Sequence, residues 1–415
     1  MVVRGFCVYE GEGVMMKTRG FKGEEMIALP ASFRAAGVHA GIKAGGEKDM
    51  ALFVSDLPAV MAGTFTTNRC AAAPVKLCRA HLVRRIGRAI VINSGVANAC
   101  NGARGERDAL TAAETAAKAL GVKCEDVYVC STGSIGQPLP MNIIQRGINT
   151  LVHKCSVDGG EAATAAIMTT DTHPKRWTVK LKLAGHPVTI TGVAKGAGMI
   201  EPNMATMLSF ILTDAAVEPA ALQTCLSGVV NCTFNRITVD GDMSTNDTVL
   251  MMANGASGGE SLSANHADWK KFCGAVEEIA SRLAWMIVAD AEGATKVVTV
   301  NVVGAVDAAC AEKAARAVGN SFLIKTGWAG ENPAVGRVMD ALGYSGAQVD
   351  AEKIEIIYKG VPAVSAGVCD SSKAGELCEV VSGAEFTLDI NLNQGDGTAT
   401  VYTCNITEKY VRINM

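Results

Sequence analysis

Short, β-branched apolar runs alternate along this chain with segments of helical period. That alternation confines it to layered α/β architectures. Residues 88–93 (Arg-Ala-Ile-Val-Ile-Asn) read as a buried strand closed by Asn93-Ser94-Gly95. Residues 106–120 place Ala and Leu at helical spacing, with Gly121 just past the end. A second strand at 127–130 runs straight into Ser131-Thr132-Gly133, and Pro138 and Pro140 precede a helix over 141–153. The middle of the chain predicts strands at 178–183, 188–193 and 207–212 and helices at 219–230 and 267–287. The last third predicts strands at 296–303, 353–358, 386–391 and 398–406, with helices at 307–318 and 332–342. The expected fold is a layered α/β sandwich of mixed sheets with a smaller C-terminal α/β lobe.

Charge and motif content exclude several classes. A formal net charge of -3 over 415 residues, without sign change between halves, points to neither nucleic acid nor membrane as partner. No run approaches the roughly 18–20 apolar residues of a spanning helix. Glu10, Glu12, Glu24 and Glu25 argue against a secretory or transit leader, so a cytoplasmic setting is expected. Met15, Met16 and Met26 are candidate starts, because recognisable pattern begins near Ile27. The 14 cysteines form no CxxC pair, and Cys124/Cys130 and Cys225/Cys232 fit no zinc site. They read as small buried residues in a reducing cytosol. Asp240-x-Asp242-x-Ser244-x-Asn246 has calcium-like spacing, but an EF-hand needs Gly at its sixth position and Glu at its twelfth, where Thr245 and Met251 stand. A hydrogen-bonded turn beneath the active site is the better expectation. Gly196-Ala197-Gly198 lacks the third glycine and ribose acid of a dinucleotide site, and the six histidines show no metal spacing. No cofactor and no metal are expected.

The segment from Lys195 to Leu208 carries the most chemistry. Gly196 and Gly198 permit backbone shapes that other residues resist, and Pro202 fixes φ and disfavours helix before it. A constrained loop thus leads to the small Ala205, the hydroxyl of Thr206 and an apolar strand. This arrangement suits an N-to-O acyl shift, with a hydroxyl poised to attack the preceding carbonyl. Cleavage between Ala205 and Thr206 would free an α-amino group of pKa about 7.7–8.0, able to accept the hydroxyl proton. On chemistry alone, a plain turn and strand is the more economical reading.

The sequence context reverses that balance. Phe33-Arg34-Ala35-Ala36-Gly37-Val38, Phe65-Thr66-Thr67-Asn68, Asn93-Ser94-Gly95-Val96-Ala97-Asn98-Ala99 and Ser131-Thr132-Gly133-Ser134-Ile135-Gly136 come first. Ile167-Met168-Thr169-Thr170-Asp171-Thr172, Phe234 through Asp247 and Glu292-Gly293-Ala294-Thr295-Lys296 follow in order. Together with the Thr206 segment they resemble the ornithine acetyltransferase family, the self-cleaving glutamate N-acetyltransferases of the cyclic arginine pathway, over about residues 27–414. The resemblance implies a fold of that type, a fragment 1–205, a fragment 206–415 beginning with Thr206, and a C-terminal lobe at roughly 293–395. It implies Thr206 as nucleophile, Thr132 and Gly133 as oxyanion hole, and Lys195 and Glu292 as substrate contacts. Thr169 and Thr170 are both candidates for a substrate-binding threonine, and spacing does not separate them. The implied reaction is ping-pong acetyl transfer from N-acetylornithine to glutamate, with acetyl-CoA open as a second donor. The implied assembly has two copies of each fragment.

Two stretches depart from the family pattern. The chain stops at Ile413-Asn414-Met415, so Asn414 can stand for the family's substrate-binding Asn while the family's terminal Thr or Ser has no counterpart. Glu331-Asn332-Pro333-Ala334-Val335-Gly336-Arg337 replaces the usual Asp-Pro-Asn-Trp-Gly-Arg, and no role is transferred there. A self-processing N-acyl amino acid hydrolase or aminopeptidase is the nearest alternative, since it shares the acyl-enzyme and differs only in acceptor.

Overall fold

A computed structural model of the chain describes residues 23–201 and 207–415. The first, nine-stranded sheet is entered through β1 (Gly23–Glu24), β2 (Phe33–Val38) and β3 (Met50–Phe65). Helix α1 (Ala73–Leu82), β4 (Ile86–Val96), α2 (Gly102–Leu120), β5 (Val127–Ser134), α3 (Met141–Lys154) and α4 (Gly160–Ala166) follow. Then come β6 (Lys175–Leu183), β7 (His186–Lys195), β8 (Leu208–Thr213), α5 (Pro219–Cys232), β9 (Thr248–Ala253) and α6 (Trp269–Ala289). The strand order is β1-β6-β7-β8-β9-β3-β4-β5, with β2 also paired to β3.

Strand β3 shapes this sheet. It carries Pro58, which cannot donate to a ladder, and its pairing with β4 shifts register between Val54 and Ala59. The irregularity folds the sheet back on itself, so that Phe53 of β3 meets Phe210 of β8 with ring centroids 5.8 Å apart. The core between the two layers joins Ile90, Ile92 and Tyr128 of one half to Leu208, Phe210 and Leu250 of the other. Outside it, α2 and α3 cover Leu52, Val91 and Val129, while α5 and α6 cover Ile190, Ile211 and Met251. Both faces of β4 are therefore buried, which is why it reads as an unbroken apolar run. Strand β5 extends beyond the expected 127–130 through Thr132 and Gly133. At the end of α2, Gly121 adopts φ 68° and closes the helix as expected.

The C-terminal lobe comprises β10 (Val297–Ala305), α7 (Ala308–Asn320), α8 (Phe322–Ala329), α9 (Val335–Tyr344), β11 (Glu355–Tyr358), β12 (Val361–Ser365) and β13 (Val368–Cys369). It continues with α10 (Ala374–Ser382), β14 (Glu385–Asn391), β15 (Gly397–Cys404) and α11 (Glu408–Ile413). Its six strands are ordered β13-β12-β11-β14-β10-β15 over a separate core around Trp328, Tyr358 and Phe386. The expected layered α/β sandwich with a smaller C-terminal α/β lobe is what the chain forms. The cysteine reading needs correction: among the described cysteines Cys70, Cys100, Cys369 and Cys378 are exposed, although all are free thiols as expected. Scattered placement in apolar sequence does not by itself bury a residue. Among the described residues no helix is long and apolar enough to cross a membrane, and no group of His, Cys, Asp and Glu has the arrangement of a metal site.

Candidate active site

Strands β4 and β5 run parallel, with Asn93 beside Ser131, Ser94 beside Thr132 and Gly95 beside Gly133. Their carboxyl ends open at one edge, the place where α/β sheets bind ligands. Gly133 has φ 129°, and a Cβ there would lie 2.3 Å from the carbonyl carbon of Gly95. Only glycine allows that approach. Ser131 Oγ donates to Asn93 Oδ1 at 2.6 Å, and Asn246 Nδ2 donates to Ala97 O at 2.6 Å and Ser131 O at 2.8 Å. The backbone before Thr132 is thereby pinned from the opposite layer.

That layer supplies Lys195, the last residue of β7. It is buried, and its Nζ donates to Thr132 Oγ1 at 3.3 Å. The counter-charge is Asp171, whose Oδ2 lies 4.0 Å from Lys195 Nζ. Asp171 also accepts from Lys175 Nζ at 2.7 Å, Gly196 N at 2.7 Å and Thr169 N at 3.0 Å. Lys175, fully buried, bridges on to Asp290 Oδ2 at 2.5 Å. Burial alone would raise the Asp171 carboxyl, but Lys195, Lys175 and the Gly196 N–H together hold it well below the usual carboxylate range. Burial pushes the Lys195 ammonium down, and Asp171 only partly offsets this.

Glu292 follows α6 through a turn in which its N–H donates to Ala197 O at 2.9 Å. Rather than a surface acid at a helix end, it is a buried carboxylate whose Oε2 accepts from Asn414 Nδ2 at 2.7 Å. Gly198 lies against it: a Cβ there would sit 2.4 Å from Glu292 Cδ. Asn414 is held by α11, which is anchored where Tyr410 Oη donates to Asp240 Oδ2 at 3.1 Å. Asp240 also accepts from Met199 N at 2.6 Å and Ile200 N at 2.9 Å. The segment around Asp240 is thus the expected hydrogen-bonded turn under the site.

Thr132, Gly133, Thr169, Thr170, Lys195, Glu292 and Asn414 all line one cleft of about 450 Å³. Both threonines of the Thr169-Thr170 pair reach it, so the structure does not separate them either. Ala205 and Thr206, like the candidate starts Met15 and Met16, lie outside the described residues. The residue that follows Thr206 is among the described ones. Met207 N donates to Asp247 Oδ1 at 3.1 Å, and Leu208 pairs with Lys195. Asp247 is buried, its Oδ2 has no hydrogen-bond partner among the described residues, and burial raises its carboxyl well above the ordinary range against the opposing pull of Met207 N and Lys195. Lys43, Ser244 and Asn246 also line the cleft. Ser244, Asn246 and Asp247 sit inside a recognised motif; an isolated lysine such as Lys43 has no signal of its own. A wider groove of about 730 Å³ beside α8 and α11, lined by Phe322, Val411 and Arg412 among others, holds none of the converging groups.

A folded-over α/β sandwich whose strand ends bring a hydroxyl, a glycine turn, a buried lysine and a carboxylate into one cleft defines an enzyme of the acyl-transfer class. The chain belongs to the ArgJ family, whose model matches residues 34–415. It is 46% identical over 383 residues to the arginine biosynthesis bifunctional protein ArgJ of Geobacter sulfurreducens, covering 92% of this chain and 98% of that one. To the protein of the same name from Caldanaerobacter subterraneus it is 44% identical over 393 residues, covering 94% and 97%. Among solved structures it is similar to an ornithine acetyltransferase from Mycobacterium tuberculosis complexed with ornithine. There the identity is 40% and the TM-score 0.41, over 44% of this chain and 98% of that one.

Proposed function

We propose that Thr206, freed as an N-terminal residue by cleavage after Ala205, carries an acetyl group from N-acetylornithine to glutamate in arginine biosynthesis. The chain is an acyltransferase by family, which favours it over the hydrolase or aminopeptidase reading. The observation that supports the residue assignments is the convergence of Thr132, Gly133, Lys195, Glu292 and Asn414 on one cleft at the point where the chain resumes after Thr206.

The Thr206 hydroxyl oxygen attacks the acetyl carbonyl while its proton passes to the Thr206 α-amine. The oxyanion is received by Thr132 Oγ1 and the Gly133 N–H. Lys195, donating to the same Thr132 oxygen at 3.3 Å, turns the hydroxyl hydrogen towards the oxyanion. The tetrahedral species collapses by breaking the bond to the ornithine α-nitrogen, which takes the proton and leaves. An acetyl-threonine ester remains. The α-amine of glutamate attacks that ester, N-acetylglutamate departs, and the Thr206 hydroxyl is restored. Glu292, oriented by Asn414, receives an amino group of the substrate, and Thr169 or Thr170 adds a hydroxyl contact. No cofactor takes part in these steps.

We extend the reading to acetyl-CoA as a second donor, to an assembly of two 1–205 and two 206–415 fragments, and to a cytosolic setting that suits the free thiols. Intact mass under denaturing conditions tests the central claim. Two fragments joined at Ala205/Thr206 are expected from the native sequence, and one uncut, inactive chain from Thr206→Ala. Full acetyl transfer by Thr206→Ala would overturn the assignment. Release of CoA from acetyl-CoA in the presence of glutamate tests the second donor.

A further inference from the structure

We propose that Lys43 is the carboxylate-binding residue of the cleft, its ammonium receiving the α-carboxylate that N-acetylornithine and glutamate share. This rests on the acetyl-transfer reading above and assigns a group that the reading leaves without a partner.

Three lysines stand in or beside the cleft, and their surroundings differ. Lys175 is neutralised by Asp171 and Asp290 at 2.7 and 2.5 Å. Lys195 has Asp171 at 4.0 Å. Lys43 lines the cleft, yet among the described residues its Nζ donates only to main-chain oxygens, Met168 O at 2.6 Å and Lys48 O at 3.2 Å. Among the described residues no carboxylate oxygen lies within 4.0 Å of it. Two carbonyls occupy two of its three donors without cancelling its charge. Its third donor is left for an anion in the cleft.

The backbone of Lys43 is prepared for such a role. Asp49, whose charge acts on Lys43, is fully buried and accepts the N–H groups of Ala40, Gly41, Ile42 and Lys43 at 2.6, 3.0, 2.6 and 3.1 Å. These four bonds fix the main chain from which the lysine extends, and they engage the Asp49 carboxylate. The bond to Met168 O ties the ammonium to the turn that presents Thr169 and Thr170 to the same cleft. Burial depresses the Lys43 ammonium, Asp49 and Glu47 oppose this, and Lys195 adds to it. An anion between Lys43 and Lys195 relieves both effects.

The chemistry of the two substrates selects the α-carboxylate as that anion. In a ping-pong cycle ornithine leaves and glutamate enters the same cleft. Their side chains end in opposite charges, so a fixed cation reading the side chain would help one and oppose the other. The α-carboxylate is the only charged group that N-acetylornithine and glutamate have in common.

The test compares N-acetylornithine with its α-carboxamide as acetyl donors, using full-length protein and saturating glutamate, in wild type and Lys43→Gln. A hydrogen bond to a charged group contributes about 1.5–3 kcal/mol, equivalent to roughly 10- to 150-fold in kcat/KM. Wild type should prefer the acid by that factor, and Lys43→Gln should shrink the preference at least about tenfold. A lysine that merely braces the Met168 turn would lower both donors alike. Transfer with an unchanged acid-to-amide ratio therefore overturns the assignment alone. If Lys43→Gln fails to fold, wild type still decides: equal use of acid and amide overturns the assignment. No acetyl transfer by wild type would remove the acetyl-transfer reading and this assignment with it.

Discussion

Replacing Asp171 by Asn keeps the side-chain shape and deletes the charge that holds two buried lysines. Lys175 lies 2.7 Å away and Lys195 4.0 Å away. At an effective dielectric of about 20, unit charges attract by about 6 kcal/mol at the shorter distance and about 4 at the longer. Deleting the carboxylate also recovers its desolvation cost, which is several kcal/mol for a buried ion, so the gross figures do not survive intact. The amide loses hydrogen bonds as well: Thr169 N and Gly196 N donate to opposite carboxylate oxygens, and an amide has only one oxygen to offer them. Removing one partner from a buried charge network typically costs about 3–5 kcal/mol, and that is the loss expected for Asp171→Asn at pH 7. The pH dependence has a definite sign. The folded-state pKa of Asp171 is depressed, so its contribution is fully present above the unfolded value near 3.9 and is lost as pH falls through the folded one. Equilibrium urea unfolding, followed by circular dichroism on matched processed protein, measures both features. The gap between wild type and variant should be widest above about pH 5 and narrow below about pH 4. A loss under about 1 kcal/mol at pH 7, or a gap that widens on acidification, refutes the reasoning.

Two other changes probe the cleft. Thr132→Ala removes the proposed oxyanion donor and should slow acetyl-enzyme formation about 10²- to 10³-fold, read by quenched-flow mass spectrometry; an unchanged rate removes Thr132 from that role. Burial raises the Asp247 carboxyl well above its ordinary range while the unfolded chain ionises near pH 3.9, so wild-type stability should fall as pH rises from about 4 through the raised folded-state pKa. Asp247→Asn, which keeps an acceptor for Met207 N, should flatten that dependence in urea titrations across the same window, and equal slopes in the two proteins would count against the raised Asp247 carboxyl.

Several elements were legible from local pattern alone. The strand around 88–93, the helix ending at Gly121 and the run after Met207 all appear where periodicity and turn chemistry put them. Strand β3 was not, because Pro58 argues against a strand until a register shift is available to absorb it. The candidate site followed the same division. Thr132, Gly133, Thr169, Thr170, Lys195, Glu292 and Asn414 were named from motifs in order along the chain, and one cleft collects them. Lys43 and Asp247 were passed over: neither spacing nor residue type distinguishes a lysine or aspartate whose significance depends on a remote partner. Alternation and capping arise from residues a few positions apart, so the sequence by itself determined most of the secondary structure and the layered class. Lys43 meets Met168 across 125 positions, Lys175 meets Asp290 across 115, and Thr132 meets Lys195 across 63. Those encounters, and the burial that shifts the charges within them, were decided only when the sheet folded over β3 and closed its two layers around the cleft.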